Sequence, residues 1–84
     1  VREILYFTAS WCNPCKKVKP IVEELNSEMK DKIKIIDVDD NFKKVQEFEI
    51  KSVPTFVVLV DGKEVERRTG AQTKDELVEL YSRV

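Results

Sequence analysis

Histidine is missing from the 84 residues, and cysteine appears only twice. A zinc ion takes four ligands from cysteine, histidine and carboxylate side chains, so a zinc site here would need carboxylates or a second chain to complete it. One cysteine pair is also too few for the disulfide framework of a small secreted domain. Basic excess is missing too: 15 Lys and Arg stand against 16 Asp and Glu, for a net charge of −1. That balance gives no reason to propose nucleic acid or an anionic membrane as partner, because both select a basic surface. No apolar run approaches the roughly 18 residues of a membrane span. The N-terminus lacks the basic, apolar and small-residue succession of a signal peptide. The expected location is therefore the cytoplasm, where thiols stay reduced and a lone pair of them is kept for a purpose. Glycine and proline are scarce, at 2 and 3 residues, while 42% of the chain is hydrophobic and 37% charged. This is the composition of a compact domain rather than of disordered chain.

Eighty-four residues make a single domain, 1–84. A chain of this size buries only about 60–65% of its unfolded surface and cannot enclose a large substrate cavity, so its chemistry must sit near the surface. "EILYFTA", residues 3 to 9, holds a continuous apolar and aromatic core, the pattern of a strand covered on both faces. Val18, Ile21, Val22, Leu25 and Met29 then recur at helical spacing, with Pro20 inside the helix and a kink expected there. "KIKIIDV", 32 to 38, reads as a second strand. Asp40 or Asn41 can cap a short helix that turns Phe42, Val45 and Phe48 or Ile50 inward. "PTFVVLV", 54 to 60, is a third strand, and Asp61-Gly62 is a two-residue hairpin signal leading into "KEVERR". Thr73 and Glu76 form a capping box for a last helix with Leu77, Val78, Leu80 and Tyr81 inward. The order is β-α-β-α-β-β-α. The first strand–helix–strand unit must be parallel with a right-handed crossover, and the hairpin must be antiparallel. The fold class is thus α/β, a four-stranded mixed sheet flanked by three helices.

Cys12 and Cys15 follow the first strand directly, in "SWCNPCK". That is the carboxyl end of a strand and the start of a helix, where open α/β sheets place their ligands. Residues three apart on a helix have Cβ atoms about 5–6 Å apart, close to the roughly 3.5–4.5 Å of a disulfide. The pair can therefore move between dithiol and disulfide with little change in the fold. A helix N-terminus favours the thiolate, which is the reactive species. Cys12, at or before the first turn, gains most and is expected to be the more exposed. Cys15 lies one turn deeper and suits the resolving role. Pro14 is at home near a helix start, where its missing N–H would be unpaired anyway. Against this redox reading stand a zinc site, short of ligands, and an inert staple, which over so small a loop restrains little chain entropy.

The motif "WCNPCK" resembles the thioredoxin active site, whose usual form has glycine where this chain has Asn13. Agreement extends over nearly the whole chain: "SVPT" at 52 to 55 is similar to the segment in which the family's proline is cis, "DGKEV" to its hairpin, and Gly70 to a glycine in a loop bordering the active site. The resemblance implies a thioredoxin-like fold and a protein-disulfide reductase. In that scheme Cys12 attacks a substrate disulfide, and Cys15 then attacks the sulfur of Cys12 to release reduced substrate. Trp11, Val53, Pro54, Thr55, Gly70 and Ala71 would form an apolar shelf for the substrate chain. A cis Pro54 would leave the carbonyl and N–H of Val53 to pair with it. Tyr6, Asn13, Pro14 and Lys16 would modulate the chemistry. Neither cofactor nor metal is called for. The implied partners are disulfide-containing proteins and a flavoprotein of the thioredoxin reductase type, with the chain acting as a monomer.

Three departures from the family stand out. The family usually begins with an additional strand and helix, for which there is no room before Ile4, so the strand at 33 to 38 is expected at a sheet edge, with Lys34 discouraging edge pairing. The buried acid that thioredoxins carry six positions before the first cysteine is Tyr6 here, and its lysine partner aligns near Ile35. The usual acceptor for the Cys15 proton is thus absent from that position, and Tyr6 is expected to position groups rather than take the proton. Asn13 stands at a position that influences redox potential. Two other readings remain: a glutaredoxin-like reductase fed by glutathione, disfavoured by Trp11 and by the lack of a Gly-Gly pair after the hairpin, and a thioredoxin-fold binding module, disfavoured by retention of both cysteines.

Overall fold

Every residue from Ile4 to Phe7 is buried, because the strand that carries them, β1 (Arg2–Thr8), runs through the interior of the sheet. The computed structural model describes residues 2–28 and 33–82. After β1 come α1 (Asn13–Glu28), β2 (Ile33–Asp37), α2 (Phe42–Glu47), β3 (Thr55–Val60), β4 (Lys63–Thr69) and α3 (Lys74–Ser82). The sheet order is β2-β1-β3-β4. β1 pairs in parallel with β2 and antiparallel with β3, and β3 pairs antiparallel with β4. This is the expected mixed sheet with three helices.

Alternation along the strands divides the core into two layers. Ile4 and Tyr6 of β1, Ile33 of β2, and Phe56 and Val58 of β3 meet Val18, Val22 and Leu25 of α1 and Leu77 and Leu80 of α3. Leu5, Phe7, Ile36, Val57 and Leu59 point the other way, toward Phe48 and Ile50. Tyr6, Phe7 and Phe56 are fully buried, each contributing about 1.5–3 kcal/mol through the apolar area removed from water. The Tyr6 and Phe56 rings stack with centroids 4.8 Å apart.

Local sequence signals account for the turns. Asp61 and Gly62 both have positive φ, 53° and 83°, the pairing that a two-residue hairpin of the right twist requires. Thr73 and Glu76 cap α3 reciprocally: the Glu76 N–H donates to Thr73 Oγ1 (3.2 Å) and the Thr73 N–H to Glu76 Oε1 (3.0 Å). These bonds hold the Glu76 carboxyl below its ordinary pKa. β2 lies at the sheet edge as expected, with exposed Lys34 paired to Glu3 at 3.1 Å.

Three expectations need correction. Phe42 is 68% exposed, because α2 has only six residues and none is buried; Phe48 and Ile50, beyond its end, pack on the sheet instead. Asn41 occupies the N-cap of α2 without a side-chain cap; its amide donates to Asp37 O at 2.9 Å. Val78 is exposed on α3, which buries only Leu77 and Leu80. α1 continues through Pro20 from Asn13 to Glu28, and Met29 lies outside the described residues.

Candidate functional site

The carboxyl end of β1 delivers the chain to a turn in which the Cys12 N–H donates to Ala9 O at 3.2 Å. Helix α1 starts one residue later, so Cys12 is its N-cap and Cys15 its third residue. In that position a cap accepts the N–H of the third helical residue. Here the acceptor is sulfur: the Cys15 N–H lies 3.2 Å from Cys12 Sγ. Pro14, second in the helix, has no N–H to leave unpaired. Cys12 and Cys15 are joined as a disulfide, with Cα atoms 5.3 Å apart.

The expectation that Cys12 stands exposed is not met in this disulfide form. Only 4% of Cys12 and 2% of Cys15 is accessible, because Ala9, Val38 and Val53 close over the pair. Position rather than exposure distinguishes the two cysteines. Cys12 sits where unpaired N–H groups and the helix dipole favour negative charge, whereas Cys15 lies inside the helix.

The other anticipated residues surround this tip unevenly. Trp11 is 64% exposed, which rules out a core anchor, and its indole N–H donates to Asp39 Oδ2 at 3.0 Å. Trp11 and Val53 line one depression of about 190 Å³, together with Val38, Val45 and Ile50. Ala71 lines another with Asn13, Pro14 and Lys17. The Val53–Pro54 bond is cis, Pro54 is buried, and its carbonyl accepts the Gly70 N–H at 2.8 Å. Gly70 has φ 93°, a left-handed conformation that suits glycine. Thr55 is buried, with its hydroxyl donated to Ser52 O at 2.8 Å; it holds the turn.

Beneath the cysteines, Tyr6 lies on the α1 side of β1. Its hydroxyl donates to the Cys15 carbonyl oxygen at 3.4 Å, not to either sulfur. Burial pushes the phenol's pKa above its ordinary value, partly offset by a hydrogen bond with the Thr8 side chain. Ile35, in register with Tyr6, is 43% exposed. Beside Cys15 a cavity of about 360 Å³ opens between α1 and β2, and Lys16 is among its lining residues. Lys16, Lys17 and Lys19 crowd the end of α1 that favours acids, and make no ion pair with the described residues. The acids of the other end are compensated from α3: Lys74 reaches Glu24 at 2.8 Å and Glu28 at 3.5 Å. Asp39, Ala9 and Val38 were not anticipated at the site. The acidic run after the second strand was the one visible signal for Asp39.

The family model for thioredoxin matches residues 2–83. A thioredoxin of Bacillus subtilis is 46% identical over 79 residues, which cover 92% of this chain and 76% of the relative. A thioredoxin of Chlamydia trachomatis is 37% identical over 81 residues, 95% of this chain and 79% of the relative. Among solved structures, the thioredoxin of Fasciola hepatica superposes with a TM-score of 0.89 at 36% identity, over 98% of this chain and 79% of that one. A thioredoxin of Nicotiana alata gives 0.87 at 39% identity, over 98% and 71%.

Proposed function

The chain belongs to the thioredoxin family and is a thiol–disulfide oxidoreductase, and from that premise we propose that it works as a dithiol carrier that reduces protein disulfides. The observation that carries this reading is the cysteine pair at the tip of α1, with the Cys15 N–H directed at Cys12 Sγ. In the reduced protein the same N–H and helix terminus stabilise a Cys12 thiolate. That thiolate attacks one sulfur of a substrate disulfide, and the other substrate sulfur leaves as a thiolate. Cys15 then attacks Cys12 Sγ, the second substrate sulfur departs, and the pair is left as the disulfide observed.

The substrate approaches over Trp11 and Val53 on one side of the cysteines and over Gly70 and Ala71 on the other, pairing with the backbone next to Pro54. Asn13 and Pro14 set the geometry between the sulfurs. Thioredoxins as a family act on disulfide-containing proteins and are recycled by thioredoxin reductases. For this chain we take the donor to be such a flavoprotein, the acting form to be a monomeric single domain, and the location to be the cytoplasm. Among the described residues no helix is long and apolar enough to cross a membrane. Family membership does not favour the glutathione-fed alternative.

Insulin reduction, followed as NADPH consumption, tests the donor. Thioredoxin reductase with NADPH should support turnover, and glutathione with its own reductase should not. The reverse result would assign the chain to the glutathione-dependent class.

A further inference from the structure

We propose that Asp37 receives the proton of Cys15 when the mixed disulfide is resolved, through water in the cavity that both residues line. The inference rests on the dithiol-exchange reading above and names the base that reading lacks. The cavity, about 360 Å³, is bounded by Thr8, Ser10, Cys15, Lys16, Lys19, Ile35 and Asp37, among others. Its origin lies in the strand register. Ile33, Ile35 and Asp37 alternate onto the α1 face of β2, and Ile33 is covered by α1, but Ile35 is not. A gap remains between the helix and the sheet edge, open beside Cys15.

Tyr6 is paired in register with Ile35, and Thr8 with Asp37. The carboxylate therefore stands one strand over from Tyr6 and one pleat nearer the end of the sheet that carries the cysteines. Its Oδ1 accepts the Asp39 N–H at 2.8 Å, while Oδ2 has no partner among the described residues. The cavity wall is largely apolar, but Thr8, Ser10, Lys16, Lys19 and Asp37 bring polar groups to it, and it is roomy enough for several waters held between them. Lys16 and Lys19 bring positive charge to its lining from α1, while the next acids along the chain are Asp39, whose carboxylate accepts the Trp11 indole N–H, and Asp40. Tyr6 faces Cys15 from below with its hydroxyl committed to the Cys15 carbonyl oxygen. A carboxylate can accept a proton near neutrality, where a phenol cannot.

The step balances. The Cys15 thiol gives its proton through water to Asp37, and the thiolate attacks Cys12 Sγ. The bond between Cys12 and the substrate sulfur breaks, with its electron pair leaving on that sulfur. The protonated carboxyl returns its proton, through water, to the departing thiolate. The substrate disulfide has gained two electrons and two protons, and the cysteine pair has lost them.

The test is stopped-flow reaction of the reduced protein with a chromogenic aryl disulfide, in which the first equivalent of aryl thiolate reports attack by Cys12 and the second reports resolution. In the wild type, resolution should change little between about pH 6 and pH 9, across the reference thiol pKa of about 8.5. Asp37→Asn keeps an oxygen for the Asp39 N–H. It should leave the first phase intact and slow the second about tenfold or more near neutrality, with the deficit vanishing at high pH, where the thiol ionises unaided. Asp37→Glu should recover most of the rate, as should formate added to Asp37→Ala. A wild-type resolution rate that climbs about tenfold per pH unit below the thiol pKa would overturn the proposal without any variant. So would an Asp37→Asn profile that matches the wild type or is lowered equally at every pH. Failure of the first phase itself would refute dithiol exchange instead.

Discussion

Replacing Tyr6 by phenylalanine isolates what its hydroxyl does. The ring is fully buried and stacked on Phe56 at 4.8 Å, and phenylalanine retains that contact. What is lost is a 3.4 Å hydrogen bond to the Cys15 carbonyl. That carbonyl keeps its helical N–H partner, and Thr8 borders the cavity, where water can replace the phenol. A net hydrogen bond contributes about 0.5–1.5 kcal/mol, and this long one belongs at the lower end, so the Tm should fall by less than about 8 °C. Tyr6→Asp differs in kind. Truncating a buried aromatic costs about 3–5 kcal/mol, and a buried carboxylate with no cation adds several more or stays protonated. The total rivals the roughly 4–13 kcal/mol expected for a domain of this length. Urea melts of the two variants and the resolution phase of the aryl disulfide reaction read both effects. Tyr6→Phe should resolve within about threefold of wild type, since in kinetics threefold is only about 0.65 kcal/mol. A loss above tenfold with stability intact would show the phenol acting on sulfur, and a Tyr6→Asp protein as stable as wild type would refute the packing argument. The raised phenol pKa adds an alkaline signature. Its stabilising contribution is complete below the unfolded tyrosine pKa of about 10 and is lost as pH rises through the higher folded value. Tyr6→Phe should therefore lose less stability above pH 10 than the wild type does.

Four further outcomes are expected. Thr73→Ala should lower stability by about 0.5–2 kcal/mol by removing the cap of α3, measurable by calorimetry. The depressed Glu76 pKa means that its own contribution is present above the unfolded value and fades as pH falls through the folded one, so wild type and Glu76→Ala should converge in acid. Lys17→Gln should raise the Cys12 thiol pKa, because it removes a positive charge from the helix end that carries the thiolate. Thiolate absorbance at low salt reads this, and an unchanged pKa would leave Lys17 a solvated bystander. Asp39→Ala removes the acceptor of the Trp11 indole without touching either sulfur; KM for insulin should rise with kcat preserved, and a fall in kcat alone would contradict the assignment of Trp11 to substrate binding.

The elements were legible wherever local chemistry decides structure. The continuous apolar run of β1, the positive-φ pair Asp61-Gly62 and the reciprocal cap of Thr73 and Glu76 act over a few residues. Phe42 was misread because a period-3.6 pattern does not reveal that a six-residue helix lies too far out to bury its first residue. Cysteine spacing and the helix start made the reactive pair legible. Their burial depends on Val38 and Val53, which reach the cysteines from distant segments. The place of Asp37 depends on the register of β2 against β1, which no local pattern in either strand specifies.

The most direct test of the account is trapping of the mixed disulfide. Cys12→Ser and Cys15→Ser proteins, each reduced and mixed with insulin, are examined intact by mass spectrometry. The helix tip gives the first attack to Cys12, so Cys15→Ser should accumulate an insulin chain linked through Cys12 while Cys12→Ser accumulates none. Adducts on Cys12→Ser with none on Cys15→Ser would reverse the roles, and no adduct on either would contradict the assignment of the pair as the reacting dithiol.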